Sequence, residues 1–272
     1  LKWCKEFRVT PQWNILWGFP QETAEDYSAS EAIARLISHL YPPASVGEIR
    51  LDRFSPNFDE AVARGFHDVV PYPAYSFIYA DLTEKARANL AYYFTFSHGQ
   101  TNQFTSEKMS FRKSVVLWKR EHASSDLFYV DKGELILVWD FRSCAINPLT
   151  VLRGEVADVM RACDGIMSER QLGAMLASKR GVAVSPELIA EILTLTQSLC
   201  DQGFMLRESN SYLALPIALG RYTPNREVLE KLLAQSEALA GRDHAGLRIR
   251  MATNSMHTEV ALTAPQIDLA RA

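Results

Sequence analysis

Charge is densest in "GEIRLDRFSP", residues 47–56, where Arg50, Asp52 and Arg53 stand almost side by side. Asp52 could orient Arg50 or Arg53 toward a carboxylate or phosphate, because a guanidinium held on one side by an acid presents its other N–H groups as a planar fork. A purely structural Arg–Asp pair is the alternative, and residue type alone leaves both readings open. A second candidate is "WNILWGFPQETAEDY", Trp13 to Tyr27, which runs from an apolar segment through Gly-Phe-Pro into an acidic turn. A glycine at a strand end lets backbone groups approach a ligand. Yet "GFPQET" holds one glycine and matches neither G-x-G-x-x-G nor G-x-x-x-x-G-K-[ST], so a tight strand-to-helix connection stays open as well.

Other chemistries find less support. Cys4, Cys144, Cys163 and Cys200 lie far apart, without the close spacing that zinc or iron–sulfur ligands use, and read as small apolar residues. His39, His67, His98, His122, His244 and His257 are scattered too, so no metal ligand is expected. The sequence assigns no catalytic residue, since it does not show which Ser, His or Asp converge in space. Tyr72, Tyr75 and Tyr79, interleaved with prolines, could line a peptide path or pack as surface aromatics.

The bulk composition fits a globular chain. Of 272 residues, 47% are hydrophobic, enough to bury one or two cores. Basic residues number 29 and acidic ones 32, so no global field attracts nucleic acid or a membrane surface, and neither is expected as a partner. No apolar run approaches the ~20 residues of a membrane span. Without a disulfide framework, a cytoplasmic location is expected. The first residue is Leu rather than Met, and "LKWCKEF" reads as the end of an amphipathic helix, so the expectation is a fragment.

The elements that must position these residues follow from periodicity and punctuation. "RVTPQWNILWGF" reads as a buried strand, "PQETAEDYSASEAIARLISHLYPP" as a helix stopped by two prolines, and Gly47 to Pro56 as a second strand. Strand, helix and strand predict a parallel βαβ unit. Thr83 to Phe96 reads as a helix, and Ser97 to Lys108 as a loop or linker. "SVVLWKREH" and "LFYVDKGELILVWDF" read as strands, with a hairpin turn at Lys132-Gly133. Helices are expected over Leu149–Cys163, Ser168–Lys179 and Ser185–Asp201, then a hairpin through Glu208 to Ser211. That order is the order of a winged helix. A helix in "NREVLEKLLAQSEALAG" and a weakly ordered tail beyond Arg242 complete the chain.

The stretch "WNILWGFPQETAEDY" resembles the "LIxGFPGET" strand and loop of radical S-adenosylmethionine enzymes in the cobalamin-binding branch. "RLDRFSPNF" and "VVPYPAYSFIY" extend the likeness to the RiPP maturation radical S-adenosylmethionine proteins, which modify ribosomally made peptides. The resemblance covers Leu1 to about Phe96. It implies an α/β fold, the C-terminal portion of a partial (β/α)6 barrel, followed by an α+β winged-helix-like domain. The corresponding divisions are 1–110, 114–216 and 217–272. It also implies that Leu16, Trp17 and Gly18 face the adenine of S-adenosylmethionine, that Phe19 and Pro20 shape the turn, and that Arg50, Asp52 and Arg53 sit near the substrate. Gln21 stands where the family usually has a second glycine, and Gln is costlier than Gly at positive φ.

The family's CxxxCxxC segment, which binds a 4Fe-4S iron–sulfur cluster, is not in this sequence, nor is a cobalamin domain. Both lie upstream in the family, so the implied activity belongs to a longer parent, and this chain is expected to be inactive alone. The implied reaction modifies a ribosomal precursor peptide, with carbon methylation among its forms. The winged-helix unit resembles, more weakly, PqqD-like modules, in which a leader peptide adds as a strand to a hairpin edge. Its third helix, "SPELIAEILTLTQSLCDQG", has no Lys or Arg and suits a phosphate backbone poorly. A purely structural accessory domain, and a peptide- or DNA-binding module without catalytic activity, are the competing readings.

Overall fold

The computed structural model describes residues 1–99, 103–220, 222–240, 248–254 and 257–263, and side chains over 1–99, 103–220, 222–232 and 234. In chain order the elements are α1 (Lys2–Glu6), β1 (Asn14–Trp17), α2 (Ala24–Leu36), β2 (Ser45–Glu48), β3 (Leu51–Asp52), α3 (Pro56–Asp59), β4 (His67–Pro71), α4 (Ala74–Ile78), α5 (Glu84–Leu90), β5 (Tyr93–Ser97) and α6 (Thr105–Glu121). There follow β6 (Leu127–Asp131), β7 (Leu135–Asp140), β8 (Leu149–Arg153), α7 (Gly154–Ala162), β9 (Met167–Ser168), α8 (Glu169–Arg180), α9 (Pro186–Asp201), β10 (Met205–Glu208), β11 (Ser211–Ala214), β12 (Ile217–Ala218), α10 (Arg226–Ala240), β13 (Arg248–Asn254) and β14 (His257–Thr263). The fold is mixed α/β with several sheets, and none closes into a barrel among the described residues.

The chain forms two compact units, one of Gln12–Ile33 and Pro43–Leu117, the other of Leu1–Pro11, Ala34–Pro42 and Trp118–Ala272. In the first unit β1 and β2 pair in parallel, Asn14 with Ser45 through Trp17 with Glu48, as the strand–helix–strand order predicts. β5 is the centre of an antiparallel sheet, with β3 and β4 on its two sides. Beneath it Leu51, Phe66, Ala91 and Phe94 make a small core. The expected single strand over 47–56 is broken: β2 ends at Glu48, β3 is short, and Ser55 caps α3 by accepting the Phe58 N–H at 3.2 Å. Ser-Pro is a helix start here, because Pro at the first turn needs no N–H partner.

Three expectations in this region are corrected. The predicted helix over Thr83–Phe96 stops at Leu90, where "YYFTFS", rich in aromatic residues, leaves as strand β5. The predicted strand "SVVLWKREH" is the second half of α6, whose first turn lies inside the predicted linker Ser97–Lys108. Phe111, Val115 and Trp118 are buried while Val116 and Leu117 are exposed, which is a helical spacing of four and three.

In the second unit β6, β7 and β8 form an antiparallel meander, with β12 added in parallel to β6. The Lys132-Gly133 turn is present, with Gly133 at φ +81° donating its N–H to Asp131 Oδ1 at 2.8 Å. The helix expected from Leu149 begins at Gly154 instead, because "LTVLR" pairs along β7 as β8. α8 opens with a capping box between Ser168 and Gln171, and α9 with Ser185 and a first-turn proline. β10 and β11 form the expected hairpin, and β9 lies on the other side of β11. Leu127, Ile136, Val159, Met160, Leu172, Ile192, Leu199 and Tyr212 fill the core between these helices and strands. The tail expected to be weakly ordered contains the antiparallel pair β13 and β14; its other residues beyond Arg242 lie outside the described ones.

Candidate functional site

The parallel ladder brings two strand ends together. Trp17 pairs with Glu48, and the Ile49 N–H donates to the Trp17 carbonyl at 2.8 Å, so Gly18 and Glu48 meet just beyond. Gly18 has φ +88°, and a Cβ built on it would lie 2.8 Å from Glu48 Cγ. Its N–H donates to Glu22 Oε2 at 2.8 Å, and the Tyr27 hydroxyl donates to the same oxygen. Burial first, and the Glu22 carboxylate second, raise the Tyr27 phenol above its ordinary range. Gln21 sits at φ +77°, in the left-handed region that favours glycine. Trp17 packs edge-on against Phe111, with ring centroids 6.2 Å apart. Leu16 points outward at 55% exposure.

Beyond β2 the side chains alternate. Ile49 and Leu51 are buried, whereas Glu48 and Arg50 are exposed and Asp52 is half-buried. Arg50 Nε donates to Asp52 Oδ1 at 3.0 Å, and its guanidinium lies 3.9 Å from the centre of the Tyr93 ring. The hydrogen bond to Asp52 raises the Arg50 pKa further, so it is a permanent cation. Arg50 lines a cavity of about 550 Å3 with Glu48, Ile49, Tyr72 and the strand residues Tyr93 to Phe96, and Asp52 holds it from outside that lining.

Arg53 is employed elsewhere. Its Nε donates to the Ala91 carbonyl at 2.6 Å and its Nη2 to the Ala88 carbonyl, while the guanidinium packs 5.0 Å from Phe94 and 5.4 Å from Phe58. It closes the C-terminal end of α5, whose last carbonyls have no helical partner. Of the charged trio, therefore, Arg50 alone lines the cavity, Asp52 is brought to Arg50 by a hydrogen bond, and Arg53 is turned to α5. Pro20 and Gln21 border a different cavity of about 450 Å3, with Arg64, His67 and His98. Tyr75 and Tyr79 stack on each other at 6.2 Å, and only Tyr72 of the three tyrosines reaches the larger cavity. Glu48 was not singled out from the sequence, although the charged–apolar alternation of "EIRLD" carries it.

An adenine ring at this strand end would meet both apolar and polar groups. Exposed Leu16 offers an apolar wall, but the Gly18 N–H is given to Glu22, and the space above Gly18 is filled by Glu48. The residues fit the flat apolar part of the ligand, and Gly18 supplies no free donor for its polar edge. No group of His, Cys, Asp and Glu suited to a metal occurs among the described residues, so ligands for a cluster are not found in them. The four cysteines are free thiols.

In the second unit, β8 is one of the two outer strands of its sheet among the described residues, β12 being the other. A groove of about 650 Å3 runs along α9, lined by Ile146 just before β8, by Leu193, Thr194, Gln197 and Asp201 of α9, and by Arg207 of β10. α9 contributes Glu187, Glu191 and Asp201 and no basic side chain.

No protein-family model, no curated protein and no solved structure matches the chain.

Proposed function

We propose that this chain is the C-terminal part of a cobalamin-binding radical S-adenosylmethionine enzyme that modifies a ribosomally made peptide, and that its second unit holds the precursor. The observation that carries the reading is the outer strand β8 with an apolar-to-polar groove on α9 close to its start. Support for a winged helix is the order helix, strand, two helices and hairpin from α7 to β11, with sheet order β10-β11-β9. A peptide strand added to β8 would gain backbone hydrogen bonds from the edge that is unpaired among the described residues, and alternate side chains would enter pockets.

For the first unit, support comes from the parallel pair β1 and β2 joined through α2, the strand–helix–strand order from which a (β/α)6 barrel would be built. Leu16 would lie against the adenine, Gly18 would be kept tight by Glu22 and Glu48, and Arg50 with Asp52 would face substrate. Bound S-adenosylmethionine, with the cluster and cobalamin of the longer parent, would supply radical and methyl-transfer chemistry. This chain's part is to wall the cofactor and position the peptide.

DNA binding, the common role of a winged helix, is disfavoured by the acidic third helix. Fluorescence anisotropy decides between them, using the whole chain against a labelled leader of the precursor encoded beside it and against a labelled duplex. Saturable binding of the leader, lost on competition with unlabelled leader, is expected. Tight duplex binding without leader binding would overturn the peptide role, and a reading frame without CxxxCxxC upstream of Leu1 would overturn the enzyme.

A further inference from the structure

Positive charge is concentrated along one side of α6. The helix carries five Lys or Arg and two Glu, in a chain whose formal net charge is -3. Phe111, Val115 and Trp118 are buried, so the opposite side faces out, where Met109, Val116 and Leu117 are 45%, 56% and 43% exposed. Residues seven apart lie two turns along a helix and almost in line. Met109 and Val116 therefore form an apolar line, Lys113 and Arg120 a basic line beside it, and Arg112 stands on the other flank. Arg112, Lys113 and Arg120 are exposed and form no hydrogen bond or ion pair among the described residues.

Unpaired cations around an exposed apolar line call for a partner with acids placed around an apolar line of its own. We propose that this face of α6 docks an amphipathic helix of a partner protein, with acidic side chains beside Arg112, Lys113 and Arg120. The seven-residue spacing is the one on which two helices pack along their length, with flanking charges setting the choice of partner. From Met109 to Arg120 is about 16 Å, or three turns, so a partner helix of that length covers the face. The phosphates of a nucleic acid would satisfy the cations and leave Met109 and Val116 in water. A helix lying on a membrane has a broad apolar face, and one line of Met and Val is narrower than that.

The face uses none of the residues assigned to the precursor or to the cofactor, so this inference goes beyond the proposed function and can fail alone. Fluorescence anisotropy of the whole chain tests it with a labelled helical peptide of about three heptads, with Leu at a and d and Glu at e and g. Mutual repulsion of the glutamates keeps that peptide from pairing with itself. The same peptide with Lys at e and g is the control. The Glu peptide is expected to bind saturably, at least about tenfold tighter than the Lys peptide, and to weaken as salt is raised from about 0.05 to 0.5 M. Arg112→Glu together with Lys113→Glu weakens it about tenfold, the effect of several exposed ion pairs lost and reversed. Val116→Ser weakens it as well, which a purely electrostatic contact would not show. These side chains are exposed, and an unchanged melting temperature confirms that each variant stays folded. Equal binding of the two peptides, no binding by about 0.1 mM, or indifference to either change on α6 overturns the proposal. So does binding of phosphatidylserine vesicles or a DNA duplex, lost in the charge-reversed variant, when the Glu peptide fails to bind.

Discussion

Lys5 and Asp126, separated by 121 positions in sequence, form a buried ion pair with Nζ and Oδ1 3.0 Å apart, their side chains 5% and 0% exposed. Lys5 Nζ also donates to the His39 carbonyl at 2.6 Å, and Asp126 accepts the Leu127 N–H at 3.1 Å and the Asn225 N–H at 3.4 Å. Burial lowers the Lys5 pKa, and the attraction of Asp126 opposes that shift. Removing the acid alone strands a buried cation. Asp126→Asn is expected to cost ~3–5 kcal/mol, seen as a lower urea midpoint, and Lys5→Met with Asp126→Asn less than the two single changes added together. Strict additivity would mean that the pair is not coupled.

His39 is fully buried, and its Nε2 is 3.2 Å from the Leu215 carbonyl. A carbonyl only accepts, so Nε2 carries the proton, and Nδ1 has no hydrogen-bond partner among the described residues. Burial, followed by the charges of Arg142 and Lys5, drives its pKa well below 6.5. Below pH ~7 the unfolded chain takes up a proton that the native state refuses, so stability falls as pH drops, by at most about 1.4 kcal/mol per pH unit for one group. His39→Gln flattens the urea midpoint between pH 7 and 5. His122, also lowered chiefly by burial, keeps part of the slope.

Gly18 and Gly47 differ in what surrounds them. A methyl group at Gly18 meets Glu48 and a left-handed backbone, while nothing lies within 4 Å of one at Gly47. Gly18→Ala should lose ~1–3 kcal/mol and Gly47→Ala remain within ~0.5 kcal/mol of the parent in thermal unfolding. Equal effects would remove the packing role given to Glu48.

Arg53, the residue after β3, ties down the end of α5. Arg53→Ala leaves the carbonyls of Ala88 and Ala91 without their side-chain donor and is expected to cost ~1–2 kcal/mol of folding stability. The loss should appear as a lower melting temperature by circular dichroism, and an unchanged one would remove this role from Arg53.

The Cys163 thiol, buried among α7 and its neighbours, is pushed up to about 12 by burial. Iodoacetamide at pH 8 should label exposed Cys144 in the native protein and leave Cys163 unlabelled until urea unfolds it, as peptide mass mapping would show.

Elements marked by local chemistry were legible in the sequence. Ser168, Ser185 with Pro186, and Gly133 act on their own backbone within a few residues, so the starts of α8 and α9 and the β6–β7 turn follow from residue type. The parallel pairing of β1 with β2 follows from strand–helix–strand order. Where apolar residues were dense, period alone misled: "SVVLWKREH" is helical because Phe111, before it, shares a buried face with Val115 and Trp118. Only tertiary structure decided the fates of the charges. Arg50 and Arg53 have the same chemistry, yet one lines a cavity and the other binds carbonyls, since β3 places α5 beside Arg53 and Tyr93 beneath Arg50. Burial of Lys5 with Asp126 has no sequence signal, because it depends on contacts made far along the chain.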